Sequence, residues 1–142
     1  MKFLQVTLIL CLSLLAVGCG KGGDAAVVPV SGKVTIAGAA PTKEGTITFT
    51  VVEPAEGYPR RPGTAKFAAD GSYVATSYEE GDGLVPGTYN AVIKYYEQEP
   101  NDNDPASYER LNLVPKDYLP EVVVDKAAGS AEANFDIPPK KK

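Results

Sequence analysis

Apolar and polar residues alternate along most of the chain after residue 27, and this period constrains the fold more than any other feature. The clearest run is TITFTV at 46–51, and a second, YNAVIKY, occupies 89–95. Successive side chains of a β-strand point to opposite faces, so a period of two indicates strands with one buried face. Asp70-Gly71 separates two such runs and predicts a hairpin, because glycine tolerates a positive φ. The alternation therefore predicts an all-β chain.

About seven such segments, separated by turn signals, predict a single β-sandwich domain over residues 28–137. They are centred on residues 30–36, 46–51, 65–67, 73–75, 89–95, 121–125 and 133–137. Residues 97–113 form a long insertion between the strands at 89–95 and 121–125, with room for a helical turn near 107–111. Small residues at 19–27 predict a flexible tether ahead of the domain. Residues 138–142 form a basic tail.

The first eighteen residues are predicted to be a signal peptide and not part of the fold. Lys2 precedes the apolar run FLQVTLILCLSLLAVG at 3–18, which ends in small residues. A membrane-spanning helix needs about 20 apolar residues. This run is shorter, and GKGGD at 20–24 follows it at once. The N-terminus is therefore expected to direct export and then to be removed.

The residues around Cys19 resemble the lipobox of bacterial lipoprotein precursors. LAVGC at 15–19 has a small residue directly before the cysteine, as the family does. The resemblance implies that residues 1–18 are removed, that Cys19 becomes the acylated N-terminus, and that its lipid anchors the protein to a membrane. An aspartate after the cysteine can hold family members at the inner membrane. Gly20 stands there, which favours the outer membrane or the cell surface.

Composition excludes several classes of function. The 142 residues include no histidine, so Ser-His-Asp and Cys-His hydrolases and His-ligated metal sites cannot be built. The formal net charge of −4 argues against a nucleic-acid partner, since nucleic-acid binding needs a basic surface. Of the two cysteines, Cys11 leaves with the signal peptide and Cys19 is acylated, so no disulfide is expected. No cofactor is indicated.

A second resemblance covers residues 28–137. The segments in question are VSGKV at 30–34, GTITF at 45–49, ADGSY at 69–73 and VPGTY at 85–89. Their order is similar to that of a carboxypeptidase regulatory-like domain, and VPKDY at 114–118 resembles small lipoproteins that carry such domains. The resemblance implies a transthyretin-like (prealbumin-like) sandwich and a non-catalytic module. The 5-hydroxyisourate hydrolase of the wider group relies on histidines and a C-terminal Tyr-Arg-Gly-Ser sequence. This chain ends in PPKKK and has no histidine, so that activity is not expected.

Acidic and amide side chains crowd the segment QEPNDNDPASYER at 98–110. Asp102 and Asp104 are candidate calcium ligands, because Ca²⁺ prefers several oxygen ligands close together. The segment lacks the glycine and the distal glutamate spacing of an EF-hand, and a solvated acidic loop is the alternative interpretation. Pro100 and Pro105 interrupt it, which disfavours the rigid cleft that paired carboxylates need for glycoside hydrolysis.

Eight tyrosines form the other unusual group. The strand pattern predicts three of them on the inward face, as part of the core: Tyr73, Tyr89 and Tyr95. Four others are candidates for the surface, where a ring can stack on a sugar or contact a protein: Tyr58, Tyr78, Tyr96 and Tyr108.

Together these observations predict a non-enzymatic, lipid-anchored lipoprotein of the cell envelope that acts as a small interaction or structural module. Its expected partners are a membrane, through the lipid on Cys19, and an unidentified envelope protein or glycan. No catalytic residue is predicted. The alternative is an envelope module that binds carbohydrate or calcium through residues 97–110 and the nearby tyrosines.

Overall fold

The computed structural model describes residues 24–140, and for these residues the all-β prediction is confirmed. The elements in chain order are β1 (Val30–Ile36), β2 (Gly45–Pro54), β3 (Gly63–Phe67), β4 (Ser72–Val74), β5 (Gly87–Lys94), α1 (Ala106–Leu111), β6 (Glu121–Val124), β7 (Ala131–Glu132) and β8 (Phe135–Ile137). The helical turn expected near 107–111 is α1. The predicted signal peptide (1–18) and Cys19 lie outside the described residues. Within 24–140, no helix has the length and apolar character needed to cross a membrane.

All eight strands join one curled sheet. Its main path runs β6-β5-β2-β3-β4-β1-β7, and β8 also pairs with β1. β1 is antiparallel to β4 but parallel to β7 and β8, so the first strand lies beside the last two. The long strands β2 and β5 pair from Thr46↔Lys94 to Pro54↔Gly87 and form the middle of one half of the sheet.

The inward face of the sheet carries an aromatic core. Its largest fully buried side chains include Tyr89, Tyr95, Phe49, Phe67, Ile47 and Leu84. The ring of Tyr73 stacks on Phe135 at 5.9 Å between centroids and lies 6.3 Å from the ring of Phe49. These rings belong to β4, β8 and β2, so each contact joins two strands that are not paired with each other. Burying such rings is the largest hydrophobic contribution to a core of this size.

The hairpin predicted at Asp70-Gly71 is present between β3 and β4. Gly71 N–H donates to the carbonyl of Ala68 at 2.8 Å, and Ala68 N–H donates to the carbonyl of Ser72 at 3.0 Å. Gly71 has a φ of +86°, and a Cβ built there would lie 2.1 Å from the carbonyl oxygen of Val34. Glycine is therefore required at this position by both conformation and space.

β1 ends in a two-residue turn with an unusual occupant. Ile36 and Ala39 exchange two backbone hydrogen bonds, at 2.8 and 3.1 Å. Between them Ala37 has a φ of 50° and Gly38 a φ of 80°, the left-handed pair of a type I′ turn. The Asp136 carboxylate accepts the N–H of Gly38 at 2.8 Å and braces the turn. Ala37 is the one non-glycine residue with a positive φ in the described chain.

Candidate functional site

The loop that contains the predicted calcium ligands is held together by its own hydrogen bonds. The hydroxyl of Ser107 accepts the N–H of Asn101 at 2.8 Å and donates to the carbonyl of Asn101 at 3.2 Å. The side-chain oxygen of Asn101 accepts the N–H of Asn103 at 3.0 Å. Ser107 is buried, and sequence reasoning had treated it only as part of a helical turn. The sequence around this serine does not indicate that it is buried, because the loop conformation is what brings its hydroxyl to the backbone of Asn101.

Asp102 and Asp104 bond to side chains of α1. Asp102 accepts a hydrogen bond from the hydroxyl of Tyr108, and this bond raises the pKa of the tyrosine. Asp104 forms an ion pair with Arg110, with 3.1 Å between Oδ2 and Nη2. Over residues 24–140 the structure brings together no group of three or more metal-ligating Asp, Glu, Cys or His side chains. Calcium binding by this loop stays a prediction.

The tyrosines divide between core and surface. Those predicted to face inward are buried: Tyr73, Tyr89 and Tyr95. The Tyr73 hydroxyl donates to the carbonyl of Ala133 at 2.6 Å, and that of Tyr89 donates to the carbonyl of Val85 at 2.5 Å. Burial raises the pKa of Tyr89 to about 12. Burial also raises the pKa of Tyr73, so the hydroxyls of Tyr73 and Tyr89 stay protonated near neutral pH and serve as structural donors.

The remaining predicted surface tyrosines are only partly accessible. Tyr58, Tyr78 and Tyr96 are half-buried, and Tyr108 is 41% exposed. Tyr96 and Tyr108 form an edge-to-face pair with 6.2 Å between ring centroids, at the base of the 97–110 loop. The guanidinium of Arg61 lies over the ring of Tyr78, with 4.5 Å between its Cζ atom and the ring centroid. Two tyrosines are thus brought together beside the acidic loop.

Three carboxylates with lowered pKa values accept hydrogen bonds from residues at turns. Burial acts to raise the pKa of Asp82, but bonds from the N–H groups of Ser77, Tyr78 and Glu79 outweigh it and lower the pKa. The hydroxyl and N–H of Ser72 lower the pKa of Asp70. The N–H of Gly38 and the hydroxyl of Thr35 lower the pKa of Asp136. All three stay ionised and brace backbone turns.

A threonine-lined groove runs along the outward face of β2 and β3. Thr46 and Thr48 of β2 line it with Thr64 of β3 and Thr76, and its volume is about 980 Å³. Thr48 lies directly opposite Thr64, which in turn pairs with Thr76 across an isolated bridge. From the sequence, these threonines are predicted only to be the outward-facing polar residues that alternate with the buried ones. The signal that could have indicated the groove is the repeat of threonine at alternate positions 46, 48 and 50.

The groove continues into a lysine pocket at the end of the sheet that carries the 97–110 loop. Lys43, Lys66 and Lys94 line this pocket with Tyr96, and its volume is about 630 Å³. Thr46 and Lys66 line both concavities, so the two form one continuous surface. Hydroxyls, ammonium groups and a tyrosine ring are therefore presented on one side of the domain.

No protein-family model and no curated protein sequence matches the chain. Candidate functions therefore depend on two adjacent surfaces: the outward groove with its lysine pocket, and the 97–110 loop with its tyrosine pair.

Proposed function

We propose that the protein is a lipid-anchored lipoprotein of the cell envelope whose β domain acts as a non-enzymatic interaction module. The observation that carries the anchor is the lipobox-like segment at 15–19, with Cys19 as the acylated residue. Among residues 24–140 the first β-bridge is that of Val28 with Leu84. A link of this length lets the domain lie next to the membrane surface. Three acyl chains, as the lipoprotein family carries, make such an anchor stable, whereas one chain binds only marginally.

We also propose that the curled sheet is a transthyretin-like β-sandwich. The ring contacts from Phe49 through Tyr73 to Phe135 support this, because they cross from β2 to β8 through the core. The contact between Tyr118, ahead of β6, and Asp136 of β8 supports it further, since β6 begins the strand path and β8 pairs with β1 near its other end. In this arrangement the outward groove lies on one layer and is available to a partner.

A binding role agrees with the chemistry of the groove. Its threonine hydroxyls both donate and accept hydrogen bonds, and its lysines are permanent donors near neutral pH. Neither residue type performs acid–base chemistry there without a partner whose pKa is shifted toward neutrality. The carboxylates with lowered pKa values, Asp70, Asp82 and Asp136, are engaged at turns.

The anchor is tested by replacing Cys19. The Cys19→Ala variant should lose incorporation of labelled palmitate and move from the membrane fraction to the soluble fraction. Cys11→Ala is the matched control, because it removes the other cysteine of the chain, which lies within the predicted signal peptide and not at the acylation position. Membrane association and labelling that persist in Cys19→Ala would overturn the proposal. Density separation of inner and outer membranes then tests the expected outer-membrane or surface location.

The second candidate function is binding of carbohydrate or calcium by residues 97–110. The edge-to-face pair of Tyr96 and Tyr108 favours it, because an exposed ring braced by another ring suits stacking on a sugar. Tyr108→Ala should abolish glycan binding of this kind, with Tyr58→Ala as the control. For calcium, loop amide shifts in an NMR titration should be lost in the Asp102→Asn, Asp104→Asn double variant. An absence of shifts in the unmodified protein at millimolar calcium would exclude the calcium site.

A further inference from the structure

The strand register places two lysines on either side of one threonine. Thr46 of β2 lies directly opposite Lys66 of β3 on one side and Lys94 of β5 on the other. Residues directly opposite in an antiparallel pair lie on the same face of the sheet. The three side chains therefore form a row on the outward face, with the two lysine backbones about 10 Å apart across two strand spacings.

Both lysines of this row are exposed, and neither has a carboxylate partner among residues 24–140. The salt bridges within residues 24–140 join Arg110 to Asp104 and Lys116 to Glu109, so neither lysine takes part in one. Opposite charges directly across a strand pair are favourable and like charges are not, so a row with two lysines and no acidic residue gains nothing from charge pairing. The position between these lysines is an uncharged threonine, in a chain whose acidic residues outnumber its basic ones.

Other charged groups at the pocket leave it with a cationic centre. Lys43 adds a third ammonium, which donates to the carbonyl of Glu97. Two carboxylates, those of Glu44 and Glu99, also line the pocket. With Glu80 of the adjoining groove, the whole surface carries three ammonium groups and three carboxylates, so its positive charge is concentrated in the row at Thr46.

Beyond the row the surface changes from cationic to hydroxyl-rich. Thr48, Thr64 and Thr76 continue the groove, and Val74, which is 51% exposed, supplies an apolar patch at its side. Glu80 lies on the same groove. Alternating hydroxyl and methyl groups match the hydroxyls and C–H faces of a sugar ring, and lysine attracts an acidic substituent as a flexible point charge.

We propose that this surface binds an acidic polysaccharide, with Lys66 and Lys94 on either side of an acidic group and Thr48 and Thr64 in contact with the neighbouring sugar. The inference rests on the proposed role of the domain as a binding module but not on the lipid anchor. It adds the ligand class and the residues that recognise it.

The test compares three polymers on the full chain purified in detergent. Polygalacturonate carries both sugar and carboxylate, dextran carries sugar without charge, and polyphosphate carries charge without sugar. Polygalacturonate should bind more tightly than the other two. Equal binding of dextran, tighter binding of polyphosphate, or no binding of polygalacturonate would each overturn the proposal.

Variants then assign the site. The Lys66→Gln, Lys94→Gln double variant should weaken polygalacturonate binding about tenfold and reduce the slope of log affinity against log salt by about 1 to 2. The control is Lys33→Gln with Lys126→Gln, which removes the same charge from exposed lysines that form no salt bridge within residues 24–140, and it should change affinity less than about twofold. Equal losses in both double variants would mean that net charge, and not this row, drives binding.

Threonine variants separate the sugar contact from the charge contact. Thr48→Val with Thr64→Val keeps the shape and β propensity of the side chains and removes only the hydroxyls. Affinity should fall several-fold with the salt slope unchanged. Unchanged affinity would remove the sugar part of the proposal. The lysine variants should still be found in the membrane fraction. A loss of polysaccharide binding is therefore distinguishable from a loss of the lipid anchor, which the Cys19 experiment tests.

Discussion

Asp82 should contribute more to stability than any other surface carboxylate of the domain. Its two oxygens accept the backbone N–H groups of Ser77 at 2.7 Å, Tyr78 at 3.0 Å and Glu79 at 3.0 Å. These three N–H groups follow Thr76 in a bend that pairs with no strand. The carboxylate therefore supplies the hydrogen-bond acceptors that a neighbouring strand would otherwise supply. In Asp82→Ala all three donors lose their partner.

The cost follows from where each donor lies. The N–H of Ser77 belongs to a buried residue, and leaving such a donor unsatisfied costs about 1 to 2 kcal/mol. Tyr78 and Glu79 are nearer the surface, where water replaces the lost acceptor and each costs about 0.5 kcal/mol. Asp82→Ala should therefore lower the free energy of unfolding by about 2 to 3 kcal/mol, and Asp82→Asn by about half as much.

The assay is urea unfolding near neutral pH and again in acid. Because the folded-state pKa of Asp82 lies below its usual 3.8, the carboxylate stabilises the fold above that pH, and this contribution is lost as the pH falls through the folded-state pKa. The difference between the unmodified protein and Asp82→Ala should therefore shrink in acid. Asp117→Ala is the control, since Asp117 is exposed and its carboxylate accepts no hydrogen bond from residues 24–140. A loss below about 0.5 kcal/mol, or one that acid leaves unchanged, would refute the reasoning.

Two turn positions give further predictions, both measured by urea or thermal unfolding. Ala37→Asn should raise the free energy of unfolding by about 1 kcal/mol, because asparagine tolerates the left-handed conformation and Asn-Gly suits a type I′ turn. The control is Ala39→Asn, which lies outside the two central positions of the turn and should leave the free energy of unfolding unchanged. Gly71→Ala should cost about 3 kcal/mol or more, since its Cβ would meet the carbonyl of Val34 at 2.1 Å. Gly57→Ala, also at positive φ but with nothing within 4 Å, should cost only about 1 kcal/mol, and equal losses at the two glycines would contradict the steric explanation.

The strands and the core residues were accessible from sequence because both are encoded locally. The alternation along the strands indicates which side chains face inward, and Tyr73, Tyr89 and Tyr95 are buried as predicted. The order in which the strands pair is not encoded in this way. Nothing in the residues of β1 indicates that it lies parallel to β8, since that pairing depends on segments about 100 residues apart.

The candidate site could be predicted in part for the same reason. The 97–110 loop is conspicuous by composition, so its acidic residues were identified from the sequence. The row of Lys66, Thr46 and Lys94 was not, because three separate strands supply one residue each and only the pairing register brings them together. Sequence reasoning therefore found the loop beside the pocket but missed the pocket.

The parallel pairing of the first strand with the last two also determines when the domain can finish folding. Lys33 donates its N–H to the side chain of Asn134, 101 positions later, and Val34 is aligned with Phe135. A chain that emerges N-terminus first from a ribosome exposes β1 long before β7 and β8 have appeared. Contacts of such high sequence separation form slowly, because loop closure precedes any gain from the contact. β1 to β5 can pair with one another before then, but the sheet is complete only when the last residues of the domain are free to pair with β1.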